Sequence, residues 1–380
     1  MSRFSFRLGI FSAALALFSG ALSARAEPNV EIFSASAADA AGILSGKSSG
    51  ASDARANAEI YPPKNFVSEG FREKFGALGN SFAAAARAGG ASRSAFFAVQ
   101  NGKILFGGVF KDEKSARAET DSFALGRASV ALVSLLSLSV ADGVAINPQT
   151  DVRRYFSMLR SPAPSGALSL ENLLDSSVNF GYAARNIPQE GSAEEFFDAL
   201  AQVPAAVQSP QNPTALEPSV AAYAVAYAVS PSSKDLKKSF VQCCRKYLFD
   251  PLNIDNPRYR RADRFDFPAY AFALDADGIA KWLACETSPN PPFSTPDKIA
   301  RRRISPLAAA KYSHGWFKVD GTAVRAHCTG GAFAGAHSLT VVFCGDFGSL
   351  ALSMFLEGVD SSFAEKLFKE NVSKIDNLLK

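Results

Sequence analysis

Two groups of β-prone segments at opposite ends of the chain constrain its fold most. Near the start, residues 95–100 and 103–110 are apolar, and Asn101-Gly102 between them is typical of a two-residue hairpin turn. Near the end, glycine-rich turns separate four short strand-like runs, at 315–319, 323–328, 338–344 and 349–356. The long middle of the chain has mostly helical periodicity. We therefore predict an α+β fold in which one antiparallel sheet from both chain ends is flanked by helices, with a helical domain inserted.

Helical patterns frame these strands. Residues 68–88 place apolar side chains on one helix face, 125–140 reads as a buried helix, and 239–249 is apolar on one side. A capping box, Ser362-x-x-Glu365, predicts the start of a last helix that buries Phe368, Val372 and Ile375.

The first 26 residues are typical of a secretory signal. Arg3 and Arg7 precede an apolar run over 8–22, and Ala24-Arg25-Ala26 is a small-x-small cleavage site. We expect cleavage after Ala26, a flexible Ala/Ser/Gly-rich leader over 27–62 and a folded domain over 63–380. In that domain the sheet part would take about 68–122 and 300–380, and the helical insert about 123–299. The expected location is periplasmic or secreted, without a stable membrane span once the signal is removed.

The net charge and the spacing of the cysteines and histidines argue against nucleic-acid binding and against a zinc site. The formal net charge of +4 over 380 residues gives no general attraction to nucleic acid. Five cysteines leave at least one thiol free, and Cys243 and Cys244 lie on the apolar side of a helix. The three histidines, His314, His327 and His337, are not spaced as a zinc set. We expect no metal and no cofactor.

Several segments in a shared order resemble the class C β-lactamase and D-alanyl-D-alanine carboxypeptidase family of penicillin-recognising serine hydrolases. The segments are TDSFALG at 120–126, the stretches 142–155, 168–174 and 239–254, and HGWF at 314–317. The resemblance covers about residues 68–380. It implies a β-lactamase-like fold with an acyl-serine mechanism, which needs an activated hydroxyl, a base and an oxyanion hole.

The residues that carry this chemistry depart from the family pattern. Counted from Gly126, the nucleophile position is Arg127 and the position of its lysine is Val130. No lysine in the chain has a serine three residues before it, so a Ser-x-x-Lys pair is absent from the whole sequence. The second family motif, Tyr-Ser/Ala-Asn, falls on Pro218-Ser219-Val220. We therefore expect no intact catalytic set.

The third family motif, Lys/His-Thr/Ser-Gly on a strand, is the best preserved. His327-Cys328-Thr329-Gly330-Gly331 keeps a histidine, a threonine and the glycines with one extra residue. Two readings stay open: the glycines let a substrate approach the strand, or they belong to an ordinary strand end.

Other candidate residues also have two readings each. Ser129 and Ser219 are expected to be small packing residues, with a nucleophile as the alternative. Arg127 is either an anchor for a substrate carboxylate or, as we favour, a plug that pairs with an acid and closes the cleft. Clustered arginines form either an anion-binding face or a solvated surface: Arg258, Arg260, Arg261, Arg264 and Arg301 to Arg303.

The expected function is that of an exported binding or structural pseudoenzyme whose partner is a cell-wall peptide or a periplasmic protein. The alternative is a serine hydrolase of β-lactamase, DD-peptidase or esterase type, with a rearranged site that uses Ser129 or Ser219 and His327.

Overall fold

A computed structural model describes residues 30–32, 69–111, 122–144, 146–181, 186–207, 214–270, 272–304 and 310–379. The predicted signal sequence at 1–26 and nearly all of the predicted leader at 27–62 lie outside these ranges. Three residues of that leader segment are described. Val30–Ile32 form strand β1, which pairs antiparallel with residues 108–110.

The N-terminal hairpin consists of β2, Arg93–Gln100, and β3, Lys103–Lys111. Asn101 and Gly102 both have positive φ, at 48° and 77°, as a type I′ turn requires. Because glycine and asparagine adopt this conformation at little cost, the dipeptide fixes the register of the two strands, and the predicted turn is confirmed.

The C-terminal strands join this hairpin in one sheet of eight strands. They are β9 Tyr312–Ser313, β10 Trp316–Val319, β11 Arg325–Phe333, β12 Ala336–Gly345 and β13 Gly348–Glu357. The strand order is β1-β3-β2-β13-β12-β11-β10-β9, and all neighbours are antiparallel. Strand β13 from the end of the chain thus lies beside β2 from its start, and the predicted fold class is confirmed.

Two helices cover the outer face of the sheet, α1 Glu69–Ala88 and a C-terminal helix Ser361–Leu378. Phe82 packs between Phe96 of β2 and Phe368 of the C-terminal helix, with ring centroids 5.7 and 6.4 Å apart. The C-terminal helix begins two residues earlier than predicted. Asp360, not Ser362, is the N-cap, and its carboxylate accepts a hydrogen bond from the backbone N–H of Phe363.

The inner face of the sheet packs against a helical region. Its helices are α2 Ser129–Val144, α3 Leu170–Leu174, α4 Ala193–Leu200, α5 Leu216–Val229, α6 Leu236–Cys244, α7 Ala276–Thr287 and α8 Pro296–Arg301, which make the C-terminal helix α9. Short strands accompany them: β4 Phe123–Ala124, β5 Val178–Asn179, β6 Ala206–Val207, β7 Arg258–Tyr259 and β8 Phe272–Leu274. A turn of π-helix, Arg245–Phe249, continues α6. None of the described helices is both long and apolar enough to cross a membrane.

A buried ion cluster joins α7, α8 and α2. Glu286 binds Arg302 and Arg303 at 2.9 and 2.7 Å, and each of the three residues is at most 6% exposed. Arg302 also donates to the Ala131 carbonyl and to Ser134 on α2. The expectation that Arg302 and Arg303 belong to a solvated or anion-binding face is therefore wrong, because both side chains are buried in the core and share Glu286 as their ion-pair partner.

Cys243 and Cys244, predicted on the apolar side of a helix, lie in the core and are at most 3% exposed. Trp282 and Trp316 are fully buried as well, and all five cysteines are free thiols.

Candidate functional site

The nucleophile position lies in a turn that leads into α2. Residues Gly126–Ala128 form one turn of 3-10 helix, and the regular helix begins only at Ser129, later than predicted. The turn packs against β11. A side chain added at Gly126 would come within 3.2 Å of the Gly331 carbonyl oxygen, and one added at Gly331 would lie 3.6 Å from Arg127 Cβ. The structure thus brings Arg127 beside the strand that carries the third motif.

An open cavity of about 640 Å³ begins at Arg127. Arg127 lines it from the 3-10 turn and Val130 from α2, and the tip of the β11–β12 hairpin lines it with residues 332–335. Arg261, Arg264 and Tyr270 contribute from the segment between β7 and β8. This volume lies within the range of small-molecule sites, roughly 300–1,000 Å³. The favoured expectation of a cleft closed by Arg127 differs from this arrangement, since Arg127 borders open space.

The hydroxyls of Ser129 and Ser219 form hydrogen bonds with backbone groups. Ser129 Oγ accepts a hydrogen bond from the Phe272 N–H at 3.2 Å, and Ser219 Oγ donates to carbonyl oxygens of Ala215 and Asp266 at 2.7 and 3.2 Å. Both residues are fully buried. Neither is among the residues that line the cavity.

The other two residues of the second motif are also in the core. Pro218 and Val220 are buried on α5, where Val220 is 0% exposed. The structure does not bring Pro218, Ser219 or Val220 to the wall of the cavity beside Arg127 and Val130.

The third-motif residues have separate surroundings. His327 pairs across the ladder with Val342, and Thr329 pairs with Thr340. Both side chains are at most 4% exposed, and neither His327 nor Thr329 lines the cavity. Burial, with a contribution from the charge of Arg303, lowers the pKa of His327 to about 4, so the imidazole is neutral near pH 7.

The two glycines of this motif differ in role. Gly330 has a φ of +146°, and a Cβ there would lie 2.2 Å from the Ser338 carbonyl oxygen on β12. Only glycine fits this ladder position. Gly331 faces Arg127 instead, and a Cβ there would make ordinary contacts. The strand-end reading therefore accounts for Gly330, whereas Gly331 lies at the site.

Sequence reasoning did not single out the remaining wall residues individually. Arg264 forms a two-point ion pair with Asp266, at 2.8 Å from Nε to Oδ1 and 2.8 Å from Nη2 to Oδ2. Its Nε also donates to the Tyr270 hydroxyl at 3.2 Å. The Tyr270 ring packs on Phe333 with centroids 5.0 Å apart. The cluster of arginines at 258–264 was the available signal, but it did not indicate which members reach the cavity.

A buried carboxylate lies just behind the wall. Glu217, on α5, accepts hydrogen bonds from the Phe180 N–H at 3.0 Å and from the Thr214 hydroxyl, and Thr214 lines the cavity. Burial raises the pKa of Glu217. Its hydrogen bond to Phe180 ties α5 to the residue that follows β5, which is a structural role. Among the described residues, no group of three or more His, Cys, Asp or Glu side chains is arranged to hold a metal ion.

Comparisons with known proteins agree with the fold. No protein-family model matches the sequence, and no curated protein matches it. Solved structures do match. SurE has 14% identity and a TM-score of 0.62, over 81% of this chain and 76% of that one. A β-lactamase from Sulfitobacter sp. EE-36 has 14% identity and a TM-score of 0.58, over 80% of this chain and 98% of that one.

A class C β-lactamase from Rhodobacter sphaeroides has 13% identity and a TM-score of 0.55, over 78% of this chain and 99% of that one. The resemblance drawn from the sequence motifs is thus confirmed for the three-dimensional structure. The chain has the fold of the penicillin-recognising serine hydrolases, the group of class C β-lactamases and penicillin-binding protein homologues.

Proposed function

We propose that this protein is a binding pseudoenzyme, which holds a ligand in the cavity of a serine-hydrolase fold without forming an acyl-serine intermediate. One observation carries the proposal: Arg127 occupies the nucleophile position and lines an open cavity of about 640 Å³. A guanidinium is not a nucleophile, because it stays protonated at any pH at which proteins fold. The cavity remains available for binding.

The rearranged-hydrolase alternative has less support. Acyl transfer requires a hydroxyl that reaches the substrate and a base in contact with it. The hydroxyls of Ser129 and Ser219 are fully buried and are bonded to backbone groups, and His327 is buried away from the cavity wall. The purely structural reading has less support too, since packed side chains would leave no room of this size.

A peptide is the ligand that the shape of the site favours. Strand β10 pairs with residues 326–328 of β11, and β11 continues to Phe333 beyond this pairing. The continuing segment borders the cavity at Ala332 and Phe333. An extended peptide is recognised by hydrogen bonds to such a strand edge. The partner we propose is a cell-wall peptide or an extended segment of a periplasmic protein.

The test is covalent labelling. Purified protein is incubated with fluorescent penicillin, and each of the variants Ser129→Ala and Ser219→Ala is treated in parallel. We expect no label that survives boiling in denaturant. A stable fluorescent band that disappears in either alanine variant would establish the rearranged hydrolase and refute the pseudoenzyme.

Export is a separate part of the proposal. The basic start, apolar run and Ala24-Arg25-Ala26 site at 1–26 support a periplasmic or secreted location. Intact-mass measurement of protein from the periplasmic fraction should give a chain that begins at Glu27. A chain that retains Met1 in the membrane fraction would contradict cleavage and indicate an anchor.

A further inference from the structure

A second, smaller cavity adjoins the buried ion cluster, apart from the cavity of the proposed function. Its volume is about 50 Å³, and its polar walls come from Ser134 and Ser137 on α2, Glu171 on α3, His314 and Arg302. We call it the Arg302 recess. The space exceeds the roughly 10–15 Å³ that one water molecule needs, so it can hold a small ion or a few waters.

The ion cluster beside this recess has an excess of positive charge. Arg302 and Arg303 share Glu286, and no other carboxylate among the described residues contacts either arginine. Burial raises the pKa of the Cys285 thiol, so this neighbour stays protonated and adds no negative charge. Two guanidinium charges therefore face one carboxylate in the core, where an uncompensated charge is costly.

The hydrogen bonds of Arg302 show where compensation is missing. Nη1 donates to the Ala131 carbonyl and to Ser134 Oγ, and Nη2 donates to both carboxylate oxygens of Glu286. Nε is buried and has no hydrogen-bond partner among the described residues, although Arg302 is only 6% exposed. Burial lowers the pKa of Arg302, and Glu286 only partly offsets this because Arg303 acts in the same direction as burial. The guanidinium thus lacks one acceptor and part of its counter-charge.

Two other wall residues affect what could supply that acceptor. Ser134 Oγ accepts a hydrogen bond from Arg302, so its own proton can go to a further acceptor. Glu171 is negative and would repel an anion, but its carboxylate contacts His314 Nε2 at 3.4 Å. The Glu171 side chain is also 34% exposed, against 5% for Arg302. Because water screens an exposed charge far more than a buried one, the arginines dominate the electrostatics of the recess.

From these contacts we infer that the Arg302 recess binds a small monovalent anion of the size of chloride. The anion accepts hydrogen bonds from Arg302 Nε and the Ser134 hydroxyl, and it supplies the counter-charge that Glu286 does not. Its role is structural, since it joins the cluster that holds α2, α7 and α8 together. The stability of the protein therefore depends on halide. A water molecule could also accept from Nε, but it brings no charge.

The experiment is thermal melting of the full chain in sodium chloride and in sodium gluconate at equal ionic strength. Gluconate, a sugar acid, is too large to enter the recess. When chloride is in about tenfold excess over its dissociation constant, it should raise the melting temperature by about 2 °C relative to gluconate. A recess that holds only water has no binding site to saturate and should give no such difference.

A variant with a filled recess separates the bound ion from the general effects of salts on protein surfaces. Ser137→Leu extends a larger apolar side chain into the recess from α2 and leaves the ion cluster unchanged. It should lose the part of the chloride effect that the wild type owes to binding. Ala141→Leu is the matched control, because Ala141 lies on the same helix outside the recess, and it should melt with the wild-type difference between the salts.

Glu171→Gln tests the sign of the bound charge. It removes the negative group from the wall, so chloride should raise the melting temperature of this variant by more than that of the wild type. A smaller chloride effect in this variant would mean that the anion binds elsewhere and would overturn the inference. Equal chloride effects in the wild type and in Ser137→Leu would overturn it as well.

Crystals grown in sodium bromide locate the ion directly. This measurement uses wild-type protein, so it decides even if Ser137→Leu fails to fold. We expect an anomalous bromide peak within hydrogen-bond distance of Arg302 Nε. A water without anomalous signal at that atom, or bromide on the protein surface alone, refutes the anion site. None of these results depends on the ligand of the cavity beside Arg127, so the proposed function is tested separately.

Discussion

His327 is a buried imidazole whose surroundings disfavour its charged form. Its pKa is lowered to about 4, mainly because it is 4% exposed in the interior of the sheet. The unfolded chain binds a proton at this residue near pH 6.5, and the folded chain does not until the pH approaches 4. Stability is therefore lost as the pH falls through this window.

His327→Gln removes this titration. Between pH 7 and pH 5 the wild type should lose about 2 kcal/mol of unfolding free energy that the variant retains. Urea unfolding of both proteins at the two pH values measures the difference. Equal losses would mean that His327 is protonated as easily in the folded protein as in the unfolded one.

Restoring the family's catalytic residues tests the surroundings of Arg127 and Val220. Arg127→Ser with Val130→Lys changes residues at the cavity wall, and this pair should leave the protein folded but unlabelled by penicillin. Pro218→Tyr with Val220→Asn changes the core. Val220→Asn should cost about 2–4 kcal/mol, because it buries an amide among apolar side chains.

The matched control for that cost is Val207→Asn, since Val207 is 64% exposed, and its effect should stay within about 0.5 kcal/mol. Thermal melting and penicillin labelling are measured on the same samples. A fourfold variant that melts near the wild-type temperature and becomes labelled would show that α5 can present the second motif to the cavity.

At the scale of elements, the Glu286 cluster holds α7, α8 and α2 together. Glu286→Ala should reduce stability by about 3–5 kcal/mol, because it leaves Arg302 and Arg303 buried without a counter-charge. A second ion pair also joins α8 to α2, Lys298 with Asp142 at 2.7 Å, but it is exposed. Asp142→Ala should therefore cost at most about 1 kcal/mol.

Chemical denaturation measures the loss of unfolding free energy in each of the two variants. Similar losses for Glu286→Ala and Asp142→Ala would mean that water reaches the arginines once the glutamate is removed.

What the sequence could predict depends on how locally each element is determined. The hairpin was predictable because Asn101-Gly102 specifies its own turn, and the C-terminal helix because its apolar side chains repeat within one segment. The burial of Arg302 and Arg303 was not predictable, because their partner Glu286 is 16 and 17 residues away along the chain and only tertiary packing joins them.

The candidate site was likewise predictable only where its residues are determined locally in the sequence. Arg127 was identified from its distance to Gly126 in the chain, and the structure places it at the cavity. Arg264, Tyr270 and Phe333 come from two distant segments, and no pattern within either segment indicates that they meet. Likewise, the open space beside Arg127 depends on the packing of α2, β11 and the segment before β8 together.

At the scale of the whole molecule, β13 is a central strand made by the end of the chain. Removing residues 348–380 would leave β2 and β12 with unpaired edges and would uncover the outer face beneath α9. We expect this truncated protein to be insoluble. Stopping at Leu378 is the control, because it keeps β13 and α9 and should melt nearly as the full chain does.

Size-exclusion chromatography and thermal melting compare the two truncations. A soluble, monomeric and cooperatively melting protein without residues 348–380 would show that the remaining strands form a stable unit by themselves.

The pairing of β2 with β13 also has a consequence for the order of events in folding. Arg93 and Glu357, which meet at the end of this pair, are 264 residues apart along the chain. Closing so long a loop costs entropy before any contact offsets it, and sheets with distant pairings form slowly. During synthesis the hairpin is made early, whereas its neighbour β13 is made almost last. The sheet therefore assembles late, and until then the apolar strands of the hairpin need a chaperone to protect them from aggregation.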